Sequence, residues 1–134
     1  MVVTTVKCRA KLLIGDYPFQ DQLKKELVPL LRDYPNKFNG KTNVIGKMTE
    51  WQWNSESIGV RRLKKYILNE IKTKSPLYMH DGKVWDLYFR DFWGNVYSKG
   101  DYAKKHKHLP AVFSMVYFLK SKWYHPSLVF TDSG

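Results

Sequence analysis

The chain has 134 residues, enough for one domain with a buried core. Hydrophobic residues make up 43% and aromatics 16%, which excludes a disordered polymer. Lys plus Arg is 23 against 12 Asp plus Glu, and the formal charge of +11 admits nucleic acid, an acidic partner or a small anion as ligand, or simply a solvated basic surface.

At the N-terminus, "MVVTTVKCRAKLLIG" has short apolar runs broken by Lys7, Arg9 and Lys11. It holds neither a signal-peptide core nor a membrane span. The single cysteine, Cys8, forms no internal disulfide. A soluble protein of a reducing, intracellular compartment is therefore expected. "TTVKCRAKLLI" reads as an opening strand. Asp16-Tyr17-Pro18 marks a helix start. Leu23, Leu27, Leu30 and Leu31 follow at helical spacing, and Pro35-Asn36 stops the helix. After the polar loop "NKFNGKTN", "VIGKMTEWQWN" returns to strand character. The next helix sets Val60, Leu63, Ile67 and Ile71 on one face, with Arg61, Lys64, Lys65 and Lys72 largely off it, and Ser75-Pro76 ends it.

From Val84 the texture changes. "VWDLYFRDFWGNVY", "AVFSMVYFLK" and "SLVFTD" read as strands separated by Gly, Pro and Asn turns. The expected architecture is a single α+β domain. An N-terminal strand and two amphipathic helices (residues 1–76) pack on the opening strands (77–134) of an incomplete antiparallel jelly roll. Leu23, Leu27, Leu30, Leu63 and Ile67 are expected to bury against the outer face of that sheet.

Two basic clusters stand out: Arg61-Arg62-Leu63-Lys64-Lys65 and Lys104-Lys105-His106-Lys107-His108. No nucleic-acid motif accompanies either, so nucleic acid ranks as an unfavoured partner. The second cluster follows the glycine turn at Gly100. On a strand, residues two apart share a face, so His106 and His108 can aim two imidazoles into one concavity. Imidazole suits Fe, Zn, Cu or Ni, while three neighbouring lysines oppose a cation and suit a solvated loop. The spacing also resembles the first half of the cupin metal motif, whose glutamate is missing here at Val112 and Phe113. His80 and His125 read as turn residues. Asp86 and Asp91 have no spacing that pairs them as acid and base.

The ordered series Trp93, Asn95, Lys99-Gly100-Asp101-Tyr102, His106-x-His108, Pro110-Ala111, Ser114, Val116-Tyr117 and Leu128-Val129-Phe130 resembles the segment that opens the jelly roll in a group of phage-encoded 2-oxoglutarate/Fe(II) oxygenase-like proteins. "NVIGKMTEWQW" and the basic helix after it resemble that group's N-terminal portion. The resemblance implies a double-stranded β-helix that binds Fe(II) through His106 and His108 and a distant third histidine. It implies 2-oxoglutarate as cosubstrate, with Asn95 and Tyr117 as candidate contacts. Strict alternation from His108 points Ser114 inward and Tyr117 outward unless Pro110 breaks the register.

The sequence departs from that pattern in its later part. No arginine follows Arg90, and the one later histidine, His125, does not match the distal ligand. The chain is expected to be a fragment, with half of the implied site outside it. The leading expectation is thus an Fe(II)/2-oxoglutarate dioxygenase-like protein hydroxylating an unknown substrate, in the host cytoplasm or a virion. The alternatives are a non-catalytic jelly-roll interaction module of a phage virion, with a protein partner, and a basic nucleic-acid-binding domain using exposed aromatics.

Overall fold

Two helices form where the apolar spacing predicts them. The computed structural model describes residues 5–7, 12–35, 42–75, 82, 86–108, 112–122, 124–125 and 128–131. In chain order the elements are β1 (Thr5–Lys7), α1 (Gln20–Arg32), β2 (Val44–Ile45), β3 (Lys47–Met48), α2 (Ile58–Lys74), β4 (Asn95–Val96), β5 (Tyr102–Ala103) and β6 (Val129–Thr131). The first helix starts just after the turn at Pro18-Phe19 and keeps Pro29 near its end. Ser57 caps the second, its Oγ accepting from the Val60 amide at 3.1 Å.

Leu23, Leu27 and Leu31 of α1 and Val60 and Leu63 of α2 form the core with Tyr17 and Trp53. Tyr34, Tyr66, Ile67, Phe92, Val96, Tyr117 and Leu119 pack around it. Tyr17 makes edge-on ring contacts with Phe19, Tyr66 and Tyr117, so aromatic packing ties the start of α1 both to α2 and to the late extended segment. Leu30 is 48% exposed, because the buried ridge runs along the i, i+4 row from Leu23 to Leu31 and is narrower than the apolar arc.

The expected jelly roll is absent, and the fold class is corrected accordingly. Among the described residues the strands form three separate two-stranded ladders, none closed: β1 with β6, parallel, and β2 with β5 and β3 with β4, both antiparallel. The helices therefore bury against each other, against aromatic side chains and against Val96 of β4, with no jelly-roll sheet beneath them among the described residues. The misreading has a physical cause at residues 112–120. Their burial alternates as a strand's does, with Phe113, Met115 and Tyr117 turned inward and Val112, Ser114 and Val116 outward. No ladder forms there among the described residues, and Tyr117 and Leu119 pack directly on the helical core. Period-two patterning reports one buried face and does not require a paired neighbour. Ser114 and Tyr117 thus face opposite to strict alternation from His108.

The stretch from Val44 to Met48 changes partner at Gly46. Val44 and Ile45 face Ala103 and Tyr102, while Lys47 and Met48 face Val96 and Asn95. Gly46 alone therefore stands opposite the whole excursion from Tyr97 to Asp101. A Cβ at Gly46 would sit 3.2 Å from Asp101 Oδ2 and 3.3 Å from both the Tyr97 ring and the Val96 carbonyl, so close approach requires glycine here. Ser98 and Asp101 close the excursion, the Ser98 amide donating to Asp101 Oδ2 at 2.8 Å and the Asp101 amide to the Ser98 carbonyl at 2.9 Å. Gly100 completes the turn at φ +88°.

Thr49 joins this framework to the core. It is 1% exposed, its amide donates to the Gly94 carbonyl at 3.0 Å, and its Oγ1 accepts from the Gly94 amide at 2.9 Å. Thr49→Val keeps the shape but leaves that buried amide unpaired, and should cost about 1–3 kcal/mol. Urea unfolding checks this: Thr49→Ser should stay near the parent, and a Thr49→Val protein as stable as the parent would contradict the assignment.

Candidate functional site

The outer face of α2 follows from its sequence. With 3.6 residues per turn, Arg61, Lys64, Lys65, Leu68 and Lys72 fall on one arc, flanking the arc that carries Val60, Leu63 and Ile67 into the core, with Lys64 at the border between them. The extended segment 86–89 lies alongside it. Between them runs an open groove of about 500 Å³, lined by Arg61, Lys64, Lys65 and Lys72 from the helix and by Tyr88 and Phe89 from the segment. Among the described residues no carboxylate lines it. The ion pair Glu70–Lys74, at 2.5 Å, sits outside this groove.

The groove's two aromatic residues behave differently. Phe89 is half-buried and meets Phe92 edge-on at 5.9 Å. Lys64 Nζ lies over both rings, 5.6 Å from the Phe89 centroid and 5.0 Å from that of Phe92. Desolvation pushes the Lys64 ammonium below its ordinary pKa, and Glu56 acts in the opposite direction. Tyr88 is 80% exposed, the most exposed large hydrophobic side chain among the described residues. A large ring left in solvent beside a row of cations is the arrangement that single-strand nucleic-acid surfaces use.

His106 and His108 lie just past β5, in an exposed segment that the Lys104 amide ties to the Asn43 carbonyl at 2.7 Å. Their Nε2 atoms are 2.9 Å apart and the rings meet edge-on. His106 Nδ1 faces the Lys104 carbonyl, so that nitrogen carries the proton; His106 Nε2 then accepts from His108 Nε2–H. Partial desolvation, followed by the charge of His106, depresses the His108 pKa. Two donors in cis positions about 2.1 Å from an octahedral ion stand about 3.0 Å apart, so the spacing suits a two-imidazole chelate after a tautomer change at His108. Among the described residues no group of three or more His, Cys, Asp or Glu side chains is placed to hold a metal. The donor set is therefore short of a ferrous oxygenase site, which needs a third protein ligand.

Asn95 and Tyr117 are held elsewhere. Asn95, exposed on β4, hydrogen-bonds Tyr97. The Tyr117 hydroxyl donates to Gln20 Oε1 at 3.4 Å, and burial, with Tyr17 adding, pushes its pKa up to about 12. It packs against the core as a satisfied tyrosine, and the contacts described for it do not include the histidines.

An NMR titration should show His108 protonating below the ordinary imidazole value of about 6.5, because the depressed group resists charging in the folded chain. Its contribution to stability is complete above that value and is lost as pH falls through it. A His108 midpoint above about 6.5 would contradict the contact.

Comparison with protein-family models, with curated proteins and with solved structures returns no match. Among the described residues no helix is long and apolar enough to cross a membrane. The cationic half of the groove was written in the cluster from Arg61 to Lys65, but a solvated helix face reads the same way. Tyr88 was hidden inside "VWDLYFRDFW", where alternation assigned it to a sheet.

Proposed function

We propose that this domain binds nucleic acid through the outer face of α2. The observation that carries the reading is the groove itself: Arg61, Lys64, Lys65 and Lys72 converge with an exposed tyrosine, and among the described residues no carboxylate lines the space. Lysine and arginine in a row neutralise successive phosphates and release their counterions. The formal charge of +11 adds a long-range attraction that raises the encounter rate. The order of the sequence expectations is thereby reversed, with the nucleic-acid reading first.

The test is fluorescence anisotropy of a labelled oligonucleotide against salt. Neutralising four phosphates gives a log–log slope of about −3, a loss of roughly 60-fold between about 50 and 200 mM salt. Binding that ignores salt, or no binding at low salt, would overturn the reading.

One observation favours a second reading, a weak divalent-metal site at His106 and His108: their facing Nε2 atoms. The Fe(II)/2-oxoglutarate proposal draws on the same pair. Among the described residues it lacks a third donor, and no arginine follows the pair in the sequence. The expected outcome is therefore weak Fe(II) retention and no succinate formed from 2-oxoglutarate in oxygen. Succinate that disappears on His106→Ala would show that a third ligand completes the site.

A further inference from the structure

We propose that the groove selects single-stranded over duplex nucleic acid, with Tyr88 as the platform on which one base stacks. This rests on the reading of the groove as a nucleic-acid site and adds which form it takes. The groove's two walls differ in chemistry. One is the cationic row of α2, which suits phosphates; the other is the segment 86–89, which presents the Tyr88 ring.

In a duplex every base is stacked and paired, so its π-face is covered and only edges and phosphates remain available. The exposed ring of Tyr88 then finds no partner. A flexible single strand can lay its backbone along Arg61, Lys65 and Lys72 and turn an unstacked base across the groove onto Tyr88. The dimensions agree. The helical rise places Arg61 and Lys72 about 16 Å apart along the axis, a short track matching a site of about four nucleotides. The groove, about 500 Å³, is open to solvent along its length, so a strand can enter from the side. Phe89, engaged with Phe92 and Lys64, braces the segment from beneath and leaves stacking to Tyr88.

The test measures anisotropy of an oligothymidylate of about a dozen nucleotides and of a duplex of the same length, both at about 50 mM salt. The single strand should bind at least about 10-fold more tightly. Tyr88→Ala should weaken it by roughly 5- to 150-fold while leaving duplex affinity and the salt slope unchanged, and Tyr88→Phe should restore it. Because Tyr88 is 80% exposed, the variant's thermal melt should match the parent's. Equal affinity for the two probes, or an unaltered Tyr88→Ala, overturns the selection and leaves a polyanion-binding helix face. Failure of both probes to bind overturns the nucleic-acid reading as well.

Discussion

Replacing Arg61, Lys65 and Lys72 together by glutamate should reduce oligonucleotide affinity by at least about 100-fold at low salt and flatten its salt dependence. Each lost cation removes up to one phosphate contact, and each new carboxylate faces the same phosphates with the opposite sign. For a single strand the slope changes by about 0.7 per contact, so a slope near −3 should fall to about −1. All three side chains are exposed and none is in the core, so folding should survive. Circular dichroism and a thermal melt serve as the control. An Asp86→Lys protein, altered just outside the groove, should bind as well as the parent or better. If the triple variant binds like the parent, the helix face is only a solvated one.

Leu23→Ala should cost about 2–5 kcal/mol, through lost transfer energy and the cavity left between the helices. Leu23 is 2% exposed and shares the core with Val60 and Leu63 across the α1–α2 contact. Stabilities of small domains run from about 5 to 15 kcal/mol, so the variant should lose a large part of the total. Leu30→Ala, one helix turn from the buried row, should cost no more than about 0.5 kcal/mol. Urea unfolding of the pair distinguishes this fold from the one expected from sequence, in which both leucines pack under a sheet. Similar losses for both would return Leu30 to the interior.

Both helices and their buried rows were legible because tertiary burial and the 3.6 period agree at Leu23, Leu27, Val60 and Leu63. The strands were legible only as extended chain. "AVFSMVYFLK" alternates with Phe113, Met115 and Tyr117 half-buried, Tyr117 against the helical core, and alternation carries no information about whether a neighbour is paired. The histidines could be located from spacing, while the number of donors around them depends on folding and could not. Tyr88 needed the structure altogether. Its exposure is set by where the segment 86–89 lies against α2, a contact between distant parts of the chain.

The parallel ladder that sets Thr5 opposite Val129 has a kinetic consequence. Its two strands are separated by almost the entire chain, so closing it carries the largest loop entropy of any contact in the domain. On the ribosome β1 emerges before both helices and must wait for β6, which is synthesised after them. The two helices have no such delay and can dock on each other long before. Assembly should accordingly proceed in two stages: early collapse around Leu23, Leu27 and Leu63, then a slower zipping of the termini. The groove between α2 and the segment 86–89 can therefore form before the ladder closes.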